Sequence, residues 1–293
     1  MKIFNLILGV FLLSLGGSAD AAQRKGIIFS EDFNDMQKIL TLEFKNSGNP
    51  NATIVREKFL GMSPAVKLWL DPWHDEVTYR SELVPFTVFS QDLQRMKHAI
   101  LGKEYWYGIR IFLPKDRRYD KEREIIMQWH DQPDWNLKED WRSPCVELDI
   151  GPSQRRGIAT NYLVFVRSDA KQLTPSKENK NRYQAEDQFD LGPIEGDLGK
   201  WTQWVMHVRW SYEDDGFLKL WKNGEVVLDL PHYPNAYNDR YGPYCKFGIY
   251  KWVWKNIEKA RGVAPRVIYY DDFYIGNAQA SYTDVAADEG QKR

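Results

Sequence analysis

From Gly26 onward the chain is cut into short runs of alternating apolar and polar residues, separated by clusters of Gly, Pro, Asn and Asp. Side chains that change face at every residue belong to strands, and short strands with frequent turn residues build a sandwich or a jelly roll. The runs are GIIFSEDF, AVKLWLD, VTYRSEL, YWYGIRIFLP, EIIMQWHD, CVELDIGP, NYLVFVRS, WTQWVMHVRWS, GFLKLWKNGEVVLDL, CKFGIYKWVW and VIYYDDFYIG. In KNGE, at 222–225, Asn-Gly suits the positive φ of a two-residue type I′ turn, so the flanking halves form a hairpin. Residues 89–100 are predicted as a helix with Ser90 as N-cap. The Lys-, Asn- and Gln-rich stretch 168–193 has little periodicity and is expected to be a long loop over a cleft or a disordered insertion. No internal repeat is evident.

Lys2 precedes an apolar run from Ile3 to Leu15, and small residues with ADAA at 19–22 follow. The run is shorter than the roughly 20 residues of a membrane-spanning helix, and the small-residue pattern marks a cleavage site. Residues 1–22 are therefore expected to be a signal peptide, without a cysteine beside the cut to take a lipid. The mature protein is expected to be soluble, monomeric and exported, periplasmic or secreted. No later stretch is long and apolar enough to span a membrane. The rest reads as one all-β domain over 23–282 and a flexible tail over 283–293.

The net charge of −1 argues against a nucleic-acid partner, which would call for a basic excess. An acidic polysaccharide stays open, because only the charge inside the cleft matters. Aromatic residues form 14% of the chain, including 12 Trp and 16 Tyr; many must pack the core, and the richness suits stacking on sugar rings. Cys145 and Cys245 each stand before a predicted strand. In an oxidising compartment they either pair, contributing on the order of 4 kcal/mol by chain entropy, or stay buried thiols. Neither lies in a nucleophile motif.

Within EIIMQWHD, alternation puts Ile126, Gln128 and His130 on one face and Ile125, Met127 and Trp129 on the other. A polar group buried without a partner costs about 1 to 3 kcal/mol, so a face carrying an amide and an imidazole is wet or functional. Taken alone, His130 capping the strand end and Gln128 bonding a loop is the plainer reading. Companion strands shift the balance. In VTYRSEL, Thr78, Arg80 and Glu82 share a face, either as a simple ion pair or as an arginine held by Glu82 to grip a carboxylate with both arms of its fork. In CKFGIYKWVW, Lys246, Gly248, Tyr250 and Trp252 alternate with Phe247, Ile249 and Lys251. There Gly248 would leave room for a ligand beside Tyr250, and Trp252 would offer a stacking surface. His207 is expected to be a satisfied core histidine, His74 and His232 to lie in loops, and His98 at the surface.

RSEL, IIMQWHD, GKWTQWVMHVRWS followed by DGFLKLWKNGEVV, and KFGIYKW resemble, in order and spacing, the heparin lyase I-like family of polysaccharide lyases, to which glucuronan lyases are also similar. The resemblance spans roughly Phe29 to Gly276. It implies a single-domain, concanavalin-like β-jelly roll whose concave cleft binds an anionic polysaccharide and cleaves it by β-elimination. That reaction removes the proton at C5 of a uronic acid, beside a carboxylate whose charge resists further negative charge, so the carboxylate must be neutralised or hydrogen-bonded. By resemblance, Arg80 and Gln128 match that role, His130 or Tyr250 is the base, and Tyr250 is the acid for the leaving oxygen. Glu82, Glu147, Lys246, Lys251 and Trp252 are the expected substrate-binding residues, and Arg142, Arg167 and Lys219 are further candidates for reading sulfate. The chemistry needs no cofactor. A structural calcium is implied, with Asp271, Asp272 and, by a looser match, Glu186 as ligands beside a main-chain carbonyl near Trp201.

Two rival readings come from other classes. VELDIGP resembles the E-x-D start of a laminarinase-type hydrolase motif, with Glu147 and Asp149 on one face. A retaining hydrolase needs a second catalytic carboxyl about 5 to 5.5 Å away, and Gly151 and Pro152 stand where the motif would supply it. A non-catalytic carbohydrate-binding protein accounts for the aromatics and Arg80, but gives no reason for Gln128, His130 and Tyr250 to occur together.

Overall fold

The structure, a computed structural model, describes residues 24–34, 51–71, 79–84, 98–119, 121–152, 159–172, 183–256 and 264–287. The predicted signal peptide, the predicted helix over 89–100 and His74 lie outside the described residues, apart from the last three positions of that helix. Among the described residues the strands are β1 Ile27–Glu31, β2 Ala52–Val55, β3 Ala65–Leu70, β4 Arg80–Leu83, β5 Glu104–Phe112, β6 Glu124–His130, β7 Val146–Pro152, β8 Ala159–Ser168, β9 Ala185–Pro193, β10 Trp201–Arg209, β11 Phe217–Lys222, β12 Glu225–Leu230, β13 Tyr244–Tyr250 and β14 Arg266–Asn277. A short helix, α1 Tyr282–Val285, carries a capping box in which Ser281 and Asp284 satisfy each other's backbone N–H.

The strands form two antiparallel sheets, as expected for a jelly roll. One runs β12-β11-β10-β5-β14-β3-β2 with β1 also on β14; the other runs β4-β13-β6-β7-β8-β9. Alternation explains the packing: along β10, Thr202, Trp204, Met206 and Val208 are buried while Trp201, Gln203, His207 and Arg209 are only partly covered. Trp204, Trp210, Trp254, Tyr162, Tyr237 and Tyr270 are fully buried, so much of the aromatic content fills the space between the sheets. The Asn223-Gly224 hairpin forms with φ of 51° and 89° at the two positions, as a type I′ turn requires. Two strands were not anticipated. β2 is only four residues long, and β9 lies within the stretch read as a loop, because an edge strand facing water shows charged residues on both sides.

Strict alternation breaks at several places, two of them in the neighbouring strands β6 and β13. β6 shifts register against β7 between Ile125 and Met127, and β13 shifts against β6 between Phe247 and Tyr250. The first shift sends Ile126 into the core with Met127 and brings Ile125 opposite Asp149, so Ile126 does not share the face of Gln128 and His130. At the second, Gly248 has φ +144°, and a Cβ there would lie 2.2 Å from the Ser81 carbonyl oxygen. The absent side chain thus admits the backbone of β4 and leaves no room for a ligand. From the other sheet, the single O–H of Tyr270 reaches both irregularities, 2.7 Å from the Ile126 carbonyl and 2.8 Å from that of Gly248. Tyr270→Phe leaves both carbonyls without this donor and is expected to cost about 1 to 3 kcal/mol, read as a lower urea midpoint with an unchanged slope.

Candidate active site

The open face of the six-stranded sheet carries a layer of polar side chains that bury one another. Reading across the register, Arg80 stands opposite Tyr250, and Glu82 opposite Gly248. Lys246 faces Gln128, which faces Glu147, then Phe165 and Gln188. Tyr244 faces His130. Arg80, Gln128, His130 and Tyr250 therefore occupy one face of one sheet. They are not clustered at a point: Tyr250 lies six residues along β13 from Tyr244, the partner of His130, a backbone run of roughly 20 Å. Arg80 and Tyr250 mark one end, His130 the other, and Gln128 lies between.

Glu82 organises the first end. Its two oxygens take Arg80 Nε at 3.0 Å and the Nε2 of Gln128, which donates to it in a short contact. Gln128 is completely buried and its own Oε1 accepts no hydrogen bond. The Arg80 guanidinium lies 4.2 Å from the centre of the Tyr250 ring. Burial alone would lower the Arg80 pKa, but Glu82 and the Tyr250 hydroxyl outweigh it and hold the guanidinium above its ordinary value. Tyr79 and Trp252 flank Tyr250, each with ring centres 6.0 Å away. Trp252 starts a 3-10 turn, Trp252–Lys255, because the strand ends at Tyr250.

A second network continues across β7 and β8. Glu147 accepts from Arg167 at 2.8 Å and lies 3.3 Å from Arg123, whose Nε is 3.3 Å from Asp149. Burial, then repulsion by Glu147, pushes the Asp149 carboxyl well above the usual carboxylate range, with Arg123 and Arg167 pulling it back. Arg123 went unnoticed in the sequence, where KERE reads as a solvated charge run. The fold stacks its guanidinium 3.8 Å from the Phe165 ring and 4.9 Å from Trp252, leaving its side chain 23% exposed over the sheet. Lys246 is buried, 5.4 Å from the Tyr244 ring.

Other expected residues are placed elsewhere. Lys251 is fully buried and turned away from this face: its Nζ donates to the Glu122 carbonyl at 3.1 Å and lies 3.8 Å from Glu124, on which Arg117 and Arg266 also converge. Alternation already sets Lys251 with Phe247 and Ile249, opposite Tyr250, and its burial on that side removes it from the expected substrate contacts. Lys219 sits on the other sheet, paired with Asp229 at 2.6 Å, and Arg142 is buried against Glu139. His207 is half-buried on the outer side of the larger sheet, stacked 3.9 Å from Trp106, and not in the core. His98 is buried between Tyr241 and Tyr244, and not at the surface. Cys145 and Cys245 are both free and buried.

The residues expected to hold calcium do not fit that ion. Arg110 occupies the carboxylates of Asp271 at 2.7 Å and Asp272 at 3.0 Å, with its guanidinium 4.8 Å from the Trp201 ring. Burial and then Asp272 push Asp271 up to about 7, against the pull of Arg110. Glu186 belongs to β9 in the opposite sheet and pairs with Arg167.

Residues 43–274 match the profile of the polysaccharide lyase family. No curated protein is a significant match to the sequence. Among solved structures, the chain is similar to an endo-β-1,4-glucuronan lyase from the fungus Trichoderma reesei, with a TM-score of 0.68, 16% identity, and coverage of 89% of this chain and 98% of that one. It is also similar to the alginate lyase vAL-1 from Chlorella virus, with a TM-score of 0.51, 10% identity, and coverage of 86% and 99%. At these identities the likeness concerns the fold.

Proposed function

The chain belongs to the polysaccharide lyase family, and from that premise we propose that it cleaves a uronic-acid-containing polysaccharide by β-elimination on the open face of the six-stranded sheet. The observation that carries the reading is the contact of Arg80 with Tyr250, 4.2 Å from guanidinium to ring centre, with Glu82 gripping both Arg80 and Gln128. Arg80 is the donor assigned to the substrate carboxylate, and Gln128, buried beneath and bonded through Nε2 to Glu82, keeps Glu82 in place against Arg80, so that charge spreading onto the carboxylate as C5 loses its proton meets a fixed positive field. Tyr250, in its ionised form, takes the C5 proton; the C–H electrons form the C4=C5 double bond, the C4–O4 bond breaks, and O4 receives the proton back from the phenol. The tyrosine ends as it began, and no other proton carrier is needed at that end of the face.

One group serving both steps requires the C5 proton and O4 on the same side of the sugar ring, as in glucuronic and mannuronic acids. This favours a glucuronan-like polymer, and the fold shared with a glucuronan lyase makes it the first to try. His130, whose Nδ1 lies 3.0 Å from the Asp131 main-chain oxygen and 2.8 Å from its Oδ1, stands at the far end of the face and is assigned to hydrogen bonding with sugars away from the cleaved bond. The heparin lyase I-like motifs support the same assignment, and the leader-like residues 1–22 support export.

The test incubates the protein with glucuronan, heparin, alginate and a neutral glucan, following ultraviolet absorbance and reducing ends together. Both signals should rise on glucuronan and neither on the glucan. Reducing ends without absorbance would mean hydrolysis, and silence on all the acidic polymers would remove the reading.

A further inference from the structure

Arg123 lies on the open face with no part in the reaction assigned above. Register locates it: Arg80 on β4 stands opposite Tyr250 on β13, Tyr250 opposite Ile125 on β6, and Ile125 opposite Asp149 on β7. The Arg123 guanidinium lies at the last of these, with Nε 3.3 Å from Asp149, and over Phe165 on β8, 3.8 Å from the ring centre. Neighbouring strands stand about 4.8 Å apart, so the backbones at Arg80 and Asp149 are separated by roughly 14 Å, with the strand of Tyr250 between them. Trp252 bridges the interval, 6.0 Å from the Tyr250 ring and 4.9 Å from the Arg123 guanidinium. A sugar chain seated over Tyr250 and crossing the strands meets one guanidinium on each side of that tyrosine.

The fold clears a seat for this side chain. A Cβ at Gly151, two residues beyond Asp149 on the same face of β7, would fall 2.8 Å from Arg123 Cγ, so the missing side chain admits the arginine stem onto the sheet. Phe165 and Trp252 then fix the plane of the guanidinium. Its carboxylate neighbours do not close it off. Glu147 is already answered by Arg167 at 2.8 Å, and the contacts of Arg123 with Glu147 and Asp149 are 3.3 Å each. Both are longer than the roughly 2.7 to 2.9 Å of a charge-assisted hydrogen bond. Burial and Glu147 hold the Asp149 carboxyl well above its ordinary range, which weakens the negative charge that Arg123 faces there. Nε and Nη2 take these two contacts, and among the described residues no carboxylate meets Nη1.

We propose that Arg123 binds the carboxylate of a second uronic acid, in a subsite beyond Trp252 from the cleaved bond, so that recognition takes two uronates at once. Arg123 is then a specificity residue and not a catalytic one: it sets the preference for a polyuronate over a polymer whose acid residues are isolated. The inference rests on the lyase reading for the bond that breaks, whereas the carboxylate contact itself needs no turnover.

The test measures kcat and KM on glucuronan and on its oligosaccharides of increasing length, for the unmodified protein and Arg123→Gln. On the polymer the variant should lose about ten- to thirtyfold in kcat/KM, the worth of one partly exposed hydrogen bond between charged groups, with kcat changed less than about threefold. On the shortest oligosaccharide that is cleaved, too short to reach Arg123, the loss should be at least about fivefold smaller. An equal loss at every length would make Arg123 a brace for Glu147 and Asp149 and overturn the proposal, as would full activity on the polymer. Binding is read without turnover by calorimetry on Tyr250→Phe. Lengthening the acidic oligosaccharide past the reach of Arg123 should raise affinity at least about fivefold more than lengthening its methyl ester. This arm leaves Arg123 in place, so it decides the matter should Arg123→Gln fail to fold. It also separates the two readings. A larger gain for the acid, on a protein that yields no ultraviolet-absorbing product from any acidic polymer, would keep the subsite and remove the lyase mechanism. An equal gain for acid and ester would remove the subsite and leave the lyase mechanism standing.

Discussion

Tyr250→Phe is expected to reduce kcat on the acidic polymer by roughly 10³-fold or more, with binding of the polymer changed less than about threefold. A positioned acid or base contributes about 10² to 10⁴ in rate, and in the proposed mechanism one oxygen performs both transfers, so its removal would leave neither step assisted. The substitution is unusually clean. The ring that lies 4.2 Å beneath the Arg80 guanidinium stays, as do its contacts with Tyr79 and Trp252, and Glu82 still holds Arg80, so the change is confined to the hydroxyl: the proton carrier and its own contact with Arg80. The comparison needs initial rates by ultraviolet absorbance and, separately, a calorimetric titration of the inactive variant with polymer. A variant that keeps more than about a tenth of the rate takes Tyr250 out of the chemistry; one that loses rate only through weaker binding makes it a sugar platform.

The jelly roll and the shared face of Arg80, Gln128, His130 and Tyr250 were legible in the sequence because both depend on period-two alternation, a local property of the backbone. What alternation could not show is whatever depends on a neighbouring strand. Ile126 left the expected face because β6 bulges against β7, and the space expected beside Gly248 is filled by β4, a strand more than 160 residues earlier. Lys251 lies on the side that alternation gives it, opposite Tyr250, but a solitary lysine on a sheet reads the same whether it meets a substrate or a buried carboxylate such as Glu124. Arg123 was invisible for the opposite reason: its charged surroundings in sequence resemble solvent, and only the fold lays Phe165 and Trp252 beneath it. β9 hid because an edge strand needs few apolar residues, its stability coming from the ladder with β8. The separation of His130 from Tyr250 likewise follows from register, and it is the reason the proposal gives both proton transfers to Tyr250, since two residues spaced by six positions on the paired strand cannot both address one C5 proton without a large displacement.

Arg80→Lys is expected to lower kcat/KM about 10²- to 10³-fold, the usual loss when one preorganised donor to a developing charge is removed. Lysine keeps the charge and can still pair with Glu82, but it has no planar fork to hold Glu82 through Nε while presenting its terminal nitrogens to the substrate. The loss should therefore fall on the transition state and appear in kcat as well as in KM. Methyl-esterified polymer separates this role from a merely structural one. Esterification removes the negative charge from the uronate, so if Arg80 acts on that charge, the gap between the parent enzyme and Arg80→Lys should shrink at least about tenfold on the ester. An equal gap on both substrates would mean that Arg80 supports Tyr250 by packing against its ring rather than answering the carboxylate, and the electrostatic half of the proposed mechanism would have to pass to Arg123, whose side chain is partly exposed over the sheet.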